Sequence, residues 1–164
     1  MRNYTISSIT TTKEKKALVK ELVENLRDVD RREMECMGFT TLQGAEVSIY
    51  ETSPVYEART KDTGKLIAVW GLQILIGKKK NTFIIWALGT EELNKYRKSF
   101  VKESSAIINR WVELYGELRN TVACFNKRAI AWLKWQGAEF SKPRKFNGED
   151  YVDFVIRRKR DKNV

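Results

Sequence analysis

We predict an α+β fold in three layers, in which helices flank a mixed, mostly antiparallel central sheet that contains two parallel strands. Three observations support this prediction. A hairpin signal joins β-rich runs within residues 55–88, a long amphipathic segment covers residues 94–115, and residues 122–140 combine a strand, a helix and a second strand. Because a strand that returns after a helix runs parallel to its predecessor, the long helix forms a crossover.

The antiparallel part of the sheet comes from two consecutive hairpins. Residues 55–60 and 65–76 flank Lys61-Asp62-Thr63-Gly64, in which Asp and Gly supply turn chemistry. Gly77, three lysines and Asn81 make a second turn before residues 82–88, whose sequence TFIIWAL is continuously apolar. Such a run is typical of a strand that is covered on both faces.

The N-terminal quarter reads as one strand followed by helices. Residues 4–9 alternate as a strand does, residues 13–26 carry a helical apolar face, and residues 31–37 form a short helix stopped by Gly38. Residues 40–52 are ambiguous because Leu42, Ala45 and Ile49 fit a helical face while residues 47–50 could extend. We favour a helix that ends before Pro54.

The C-terminal half contains two helices and three strands. The segment 94–115 is a helix with Tyr96, Phe100, Ile107, Trp111 and Leu114 on one face, which we expect to lie in the core. Residues 118–125 form the parallel strand. The next helix, 126–136, is capped by the Asn126 side chain and ended by Gly137. Residues 138–141 and 151–158 form a terminal strand pair, with Pro143 and Asn147-Gly148 in the connection.

Length and composition indicate one domain and narrow the possible chemistry. A chain of 164 residues, 42% hydrophobic, can hold one core, so we assign residues 1–158 to a single domain and residues 159–164 to a basic tail. Two cysteines and no histidine exclude a disulfide framework, Ser-His or Cys-His nucleophiles and the usual zinc sites. Catalysis would need carboxylates, Tyr, Lys, backbone dipoles or water. We expect no metal, no membrane segment and a reducing cytoplasm.

The formal net charge of +10 is unevenly distributed. Basic residues concentrate in three clusters: Lys78, Lys79 and Lys80; Lys95, Arg97, Lys98 and Lys102; and Arg157, Arg158, Lys159, Arg160 and Lys162. Such clusters attract phosphate partners, either nucleic acid or a nucleotide cofactor. Their alternative role is solubility.

The unit of residues 122–140, with Ala129, Leu133 and Gly137 at helical spacing after Asn126, resembles the last crossover of the GNAT superfamily of N-acetyltransferases, and the element order resembles that fold over the whole chain. The resemblance implies that acetyl-CoA enters a gap between two splayed parallel strands. Its pyrophosphate would lie at the N-terminus of the long helix, where N–H groups favour anions. It implies these cofactor-binding residues: Ala87, Leu88 and Gly89 through their backbone, Lys95, Arg97, Lys98 and Ser99 near the phosphates, and Asn126 beside the pantetheine arm.

Two departures from the family pattern bear on activity. The expected pyrophosphate loop, residues 89–100, reads GTEELNKYRKSF and has one glycine, at its start, so a nest of N–H groups is harder to build. The family's Tyr general acid is replaced by Leu133, which cannot donate a proton; Tyr96, Tyr115 or water could substitute. The nearest carboxylates, Glu91 and Glu92, are expected to begin a helix.

A closer resemblance is to small acetyltransferase-like proteins of short-tailed bacteriophages, some of them internal virion proteins. It rests on DRREMECM at residues 30–37, LIAVWGLQ, KYRKSF and FNKRAIAWLKWQGAEF. It implies a phage product in the host cytoplasm or virion, associated with DNA or virion proteins, and the two departures predict that its catalysis is degenerate. Two alternatives stay open: an active N-acetyltransferase that acts on an amine, and an interaction module that binds a host or virion protein through exposed aromatic residues such as Trp132 or Trp135. The segment Arg31-Arg32-Glu33 is expected to form a solvated face.

Overall fold

The computed structural model describes residues 2–158, so the basic tail predicted at residues 159–164 lies outside the described residues. The elements, in chain order, are β1 (Tyr4–Ile9), α1 (Thr12–Asn25), α2 (Asp28–Cys36), α3 (Thr41–Tyr50), β2 (Val55–Thr60), β3 (Leu66–Leu75), β4 (Thr82–Gly89), α4 (Leu93–Tyr115), β5 (Glu117–Ala123), α5 (Lys127–Trp135), β6 (Glu139–Phe140), β7 (Arg144–Phe146) and β8 (Glu149–Arg157). The ambiguous segment at residues 40–52 is a helix, begun by a capping box between Thr40 and Gln43.

One sheet of eight strands organises the molecule. Its order is β1-β2-β3-β4-β5-β8-β6, with β7 also paired to β8. Every pairing is antiparallel except that of β4 with β5, which are parallel and joined by α4. The predicted fold class, a mixed and mostly antiparallel sheet with helices on both faces, is confirmed.

Two apolar clusters cover the two faces of the sheet and produce the three layers. On one face α4 and α5 bury side chains such as Phe100, Trp111 and Leu133. On the other face α1, α2 and α3 bury Leu22, Ile49 and their neighbours against Val69. A fully buried aliphatic side chain contributes roughly 1.5–3 kcal/mol, so these layers hold the sheet between them. Leu114, predicted to be in the core, is 63% exposed, because at this end of α4 the neighbouring Tyr115 packs on the sheet, with its ring stacked on Phe83 of β4.

The parallel strands separate soon after they meet. A single bridge joins Ile84 to Arg119. One residue further, the Asn120 side chain donates from Nδ2 to the Ile85 carbonyl at 2.7 Å and accepts the Thr121 N–H on Oδ1 at 2.7 Å. Asn120 thus occupies the point where the strands diverge, and towards Gly89 and Ala123 a gap opens between them.

The C-terminal strands differ from the prediction in one respect. Residues 144–146 form β7, which pairs with β8 across a two-residue turn, whereas the sequence analysis placed this segment in a connection. Asn147 and Gly148 both have positive φ, 49° and 79°, as a type I′ hairpin turn requires. The Asn-Gly pair is therefore the turn of a tight hairpin.

Candidate functional site

The gap between β4 and β5 is a cleft of about 720 Å³. Its size falls within the range of small-molecule sites. The two strand edges form its sides, α4 and α5 contribute basic side chains to its lip, and α2 brings two carboxylates to its other end. Of the residues predicted from the sequence, Ala87, Leu88, Arg97, Lys98 and Asn126 line this cleft.

The β4 edge offers one backbone donor and one acceptor to the cleft. Thr90 donates its N–H to the Ile67 carbonyl of β3, so alternate residues back along β4 also point their backbone groups towards β3. Leu88 belongs to that set. Ala87 belongs to the other set, and its N–H and C=O point into the gap beyond the place where β5 has diverged. Ala87 therefore offers its backbone to a ligand, whereas the Leu88 backbone faces β3 and the Leu88 side chain packs against the apolar cluster under α1–α3.

The Gly89 backbone, in contrast, is engaged within the protein. Its N–H donates to Asp30 Oδ2 at 2.8 Å and its C=O accepts the Arg27 N–H at 3.0 Å. A Cβ at this position would lie 2.9 Å from Leu93 Cδ2 of α4 and 3.2 Å from Arg27 Nε, so a larger residue would have to displace the ends of these side chains. The expectation that Gly89 lines the gap through its backbone is wrong, because α2 occupies its hydrogen-bonding groups.

Asp30 and Arg27 fix α2 against β4. The Arg27 guanidinium donates from Nε and Nη2 to the two Asp30 oxygens at 2.7 and 3.1 Å. Asp30 is 3% exposed, and the guanidinium together with the Gly89 N–H compensates its buried charge. Removing one member of such a buried pair typically costs about 3–5 kcal/mol. This pair places the next turn of α2 beside the end of β5.

Glu33 occupies that next turn and faces the β5 edge. Its Oε1 accepts the Ala123 N–H at 3.0 Å, and the carboxyl group lines the cleft. Ala123 is four residues beyond the bridge at Arg119, and Ala87 is three residues beyond the bridge at Ile84. The Glu33 carboxyl group and the free Ala87 N–H thus stand at nearly the same level on opposite sides of one gap.

The environment of Glu33 changes its acidity. Burial raises its pKa from the ordinary value of 4.5 to about 7, and the charge of nearby Asp30 adds to this effect. The Ala123 N–H and the Asn126 side chain act in the opposite direction because they stabilise the charged form. The prediction of a solvated face holds for Arg32, which is exposed. It is wrong for Glu33, which is half-buried and lines the cleft because α2 packs across the end of the sheet.

The lip of the cleft is basic. Arg97 and Lys98 on α4 face Arg128 on α5, and Arg128 Nη1 donates to Asn94 Oδ1. Two predicted phosphate ligands lie elsewhere. Lys95 Nζ pairs with Glu92 at 3.0 Å on the solvent side, and Ser99 Oγ donates to the Tyr96 carbonyl of its own helix at 3.0 Å. Neither of these two side chains lines the cleft.

The turn from β4 into α4 uses its own N–H groups. Thr90 Oγ1 accepts the Glu92 N–H, and the N–H groups of residues 93–95 bond to the carbonyls three residues before them. Glu91 and Glu92 were predicted to begin the helix; they instead form the turn immediately before α4, and Glu92 is its N-cap residue. Two carboxylates and a closed set of hydrogen bonds therefore stand where a glycine-rich loop would present free N–H groups to phosphate.

The turn from β5 into α5 carries Asn126. Its Oδ1 accepts the Ala129 N–H at 3.2 Å, which confirms the predicted cap, and the residue is 3% exposed. Gly137 follows the helix with φ of 84°, as predicted. Leu133 is buried and lines the cleft.

The tyrosines proposed as substitutes for the general acid pack elsewhere. Tyr96 stacks edge-on against Tyr4, and the Tyr115 ring stacks on Phe83 with centroids 4.4 Å apart. Within residues 2–158 the cleft lining contains no tyrosine. Of the two tryptophans on α5, Trp132 donates to Ser104 Oγ at 3.1 Å, and Trp135 is 62% exposed at the cleft.

The described part of the chain contains neither a cluster of metal-ligating side chains nor a helix that could span a membrane. Across residues 2–158, three or more Cys, Asp or Glu side chains nowhere converge in a way that could hold a metal ion. None of the helices in the same range combines the length and the apolarity needed to span a bilayer.

The fold recurs in solved acetyltransferase structures. AAC(6′)-Ib in complex with ribostamycin and coenzyme A matches with a TM-score of 0.66 and 15% identity, covering 99% of both chains. The ribosomal-protein-S5-alanine acetyltransferase of Vibrio fischeri matches with a TM-score of 0.64 and 11% identity, covering 99% of this chain and 97% of the other. A GNAT-family acetyltransferase of Bacillus anthracis matches with a TM-score of 0.63 and 11% identity over 95% of each chain.

Sequence comparison adds no relative. No family model matches the chain, and no curated protein matches it. At the identities of the solved structures, the likeness concerns architecture. The chain therefore has the fold of the GNAT-family N-acetyltransferases.

Proposed function

We propose that this protein binds acetyl-CoA in the cleft between β4 and β5 and transfers the acetyl group to an amine. The observation that carries the proposal is that Ala87 of β4 and the Glu33 carboxyl group, bonded to the Ala123 N–H of β5, line the same cleft from opposite strands. A hydrogen-bond donor on one side and a base with a pKa of about 7 on the other are the two groups that acyl transfer to an amine requires.

The residues of the cleft fit the parts of this cofactor. The Ala87 C=O can accept an amide N–H of an extended pantetheine arm, which leaves the Ala87 N–H for the thioester carbonyl. Arg97, Lys98 and Arg128 at the lip can bind phosphate oxygens through their side chains. The fold is shared with AAC(6′)-Ib, whose structure is a complex with coenzyme A. When bound, the cofactor supplies an activated acetyl thioester.

Side chains of this protein would deprotonate the acceptor amine. Amines arrive protonated at neutral pH, and the Glu33 carboxylate can take the proton through the oxygen that Ala123 leaves free. The Asn126 side chain, which lowers the pKa of Glu33, helps to keep that carboxylate ionised. Leu133 cannot protonate the departing thiolate, so water at the exposed mouth would do so.

The experiment is a titration with acetyl-CoA followed by calorimetry and thermal unfolding. A ligand that binds only the folded chain raises its stability according to its concentration and affinity. We expect saturable binding and a rise in Tm, together with release of free thiol when amines are added. If millimolar acetyl-CoA leaves Tm and heat unchanged, the proposal fails. Binding without thiol release from any amine would support the degenerate catalysis predicted from the sequence.

A second candidate function is association with nucleic acid, as the resemblance to packaged phage proteins implies. The net charge of +10 favours it, and the cluster of Lys95, Arg97, Lys98 and Lys102 is exposed along α4. Binding would weaken steeply as salt rises, because neutralised phosphates release counterions. Retention of duplex DNA at low salt that is no better than that of a neutral protein would contradict it. Location in a virion stays a prediction, which the protein content of purified particles would test.

A further inference from the structure

On the β3 side, the two-stranded ribbon of β3 and β4 extends past its neighbour β2, whereas on the β4 side β5 runs beside it as far as Glu117, level with Thr82. β2 pairs with β3 only as far as Gly71, and the single β4–β5 bridge is at Ile84. Residues 72–75 of β3 therefore pair with β4 alone, up to the closing pair of Leu75 with Thr82. The six-residue loop 76–81 is exposed throughout. This loop lies beyond the last strand pair of the hairpin, and at its base Lys80 Nζ is 3.9 Å from Glu117 Oε1 of β5.

The end of this ribbon, which we call the hairpin tip, consists of Ile74, Leu75, Ile76 and the three lysines Lys78, Lys79 and Lys80. Ile76 is 89% exposed, and Ile74 and Leu75 are 48% and 47% exposed. Adjacent residues of a strand point to opposite faces, so Ile74 and Leu75 make both faces of the tip apolar. Tyr115, stacked on Phe83 opposite Ile74, places an amphipathic ring beside it.

We propose that the hairpin tip inserts into the surface of an anionic lipid bilayer. Ile76 and the apolar side chains on both faces would enter the interface, and the three lysines would lie at the level of the lipid phosphates. The proposal concerns the end of the sheet opposite the cleft and is independent of acetyl transfer.

Three physical arguments select this partner over others. A folded protein partner would cover the apolar side chains on one face of the ribbon and leave those on the other face in water. A bilayer interface would surround the tip and cover both faces. Nucleic acid would bind the lysines but give the exposed aliphatic side chains no apolar partner. A second copy of the chain would bring three like charges against three others. An anionic bilayer offers both an apolar medium and negative charge, and each lysine near its surface strengthens binding roughly fivefold.

The test is co-sedimentation of the purified chain with phosphatidylcholine vesicles and with vesicles of equal phosphatidylcholine and phosphatidylglycerol. We expect binding to the anionic vesicles that weakens with salt. The variant K78Q/K79Q/K80Q should lose affinity roughly 100-fold at low salt, as the loss of three surface-bound lysines implies. The variant L75S/I76S should lose about tenfold or more, because burial of two aliphatic side chains is removed.

Two matched control variants distinguish insertion of the hairpin tip from effects of overall charge and of exposed apolar side chains elsewhere on the surface. K13Q/K16Q/K20Q removes three exposed lysines from α1, and L42S/V47S removes two side chains of α3 that are 48% and 43% exposed. Both controls should bind vesicles as the unchanged chain does. All the substituted side chains are exposed, so unchanged Tm values should accompany the losses.

Several outcomes would overturn the proposal. These are absence of binding to anionic vesicles, an equal loss in the α1 lysine control, and full retention of binding by L75S/I76S. The same variants are also tested for binding to duplex DNA and to polyglutamate, which represent a nucleic acid and an acidic protein. If either probe binds through the three lysines while vesicles do not, the partner is a nucleic acid or an acidic protein and the lipid proposal is wrong.

Discussion

The two turns that lead from strand to helix at the cleft differ in what they leave available. After β4, the turn through Thr90 bonds its N–H groups internally and adds two carboxylates. After β5, the turn carries Asn126, whose side chain caps α5 and also lowers the pKa of Glu33. The two strand-to-helix turns, which occupy equivalent positions after β4 and after β5, thus differ in what their side chains and N–H groups bond to. The first stabilises the start of α4, and the second supports the chemistry of a carboxyl group.

If the proposed function holds, phosphate recognition lies on side chains at the lip of the cleft and not on the turn after β4, without a change of fold. A glycine-rich loop binds phosphate through N–H groups, whereas this chain places Arg97, Lys98 and Arg128 at the same cleft. Side-chain guanidinium and ammonium groups carry full charges, so they can replace a backbone nest at the cost of ordering longer side chains. We expect the affinity of such a site to depend more strongly on salt.

The largest expected effect comes from Glu33 at the β5 end. Glu33→Gln keeps an oxygen for the Ala123 N–H but removes the base, so kcat should fall by about 10²- to 10⁴-fold while acetyl-CoA affinity is preserved. In the unchanged protein kcat/KM should rise with pH through about 7, the pKa of Glu33. Steady-state kinetics over a pH series measures both. Glu35→Gln, an exposed residue of the same helix, is the control, and equal activity of the two variants would contradict the assignment.

The second effect concerns stability. Activity should rise with pH through about 7, whereas the free energy of unfolding should fall over the same range. The folded chain holds the Glu33 proton up to a pKa of about 7, whereas an unfolded carboxyl group releases it near 4.5. The free energy of unfolding should therefore fall as pH rises from 4.5 through 7, by roughly 3 kcal/mol from this group. Glu33→Gln should abolish that fall and be the more stable protein at pH 8. Denaturant unfolding at several pH values tests this, and identical pH profiles for both proteins would contradict it.

The third prediction tests the basic lip against the turn after β4. Arg97→Glu with Lys98→Glu should weaken acetyl-CoA binding roughly 10- to 100-fold, because charge-assisted contacts to phosphate are lost. Lys95→Glu with Lys102→Glu makes the same change of charge on the same helix, away from the cleft. Calorimetry should show a small effect for this control. Equal losses would mean that the cofactor responds to overall charge and not to a site.

The smallest effect separates the two tasks of Asn126. Asn126→Ala removes the cap and should cost about 1 kcal/mol, a fall in Tm of about 2–4 °C. Asn126→Ser restores an oxygen for the cap but not the amide that lowers the pKa of Glu33. The serine variant should therefore recover Tm while the kinetic inflection moves above pH 7. Recovery of both properties would assign Asn126 to the cap alone.

Local patterns in the sequence were sufficient to predict most of the fold. Helices were predicted from periodicity and caps, and the central hairpins from turn chemistry and apolar runs. The β7–β8 hairpin was missed because Asn147-Gly148 was assigned to a longer connection, although this dipeptide is itself a strong hairpin signal. Leu114 matches the predicted helical face, but Tyr115, four residues after Trp111, packs on the sheet in its place. Periodicity alone does not decide between the positions three and four residues after a buried one.

The candidate site was less predictable, because its main carboxylate depends on contacts distant in sequence. Glu33 meets Ala123 across ninety positions of the chain, and the Asp30 bond to Gly89 brings it there. Neither pairing leaves a local motif. The one signal available in the sequence is the mixture of acidic and basic residues in DVDRRE, residues 28–33, at the start of a short predicted helix. Asn120 likewise looked like an ordinary strand residue, although it sits at the divergence of two strands.

The separation of the strands at Asn120 also determines which amide protons exchange with solvent. Ile85 lies on the closed side of the Asn120 contact, so its amide should exchange slowly, whereas the Ala87 amide faces the open gap and should exchange rapidly. These two amides are two residues apart in one strand, and every global change in stability affects both. The ratio of the Ala87 exchange rate to the Ile85 exchange rate should therefore fall when a ligand occupies the cleft. This measurement requires neither a labelled ligand nor a known acceptor.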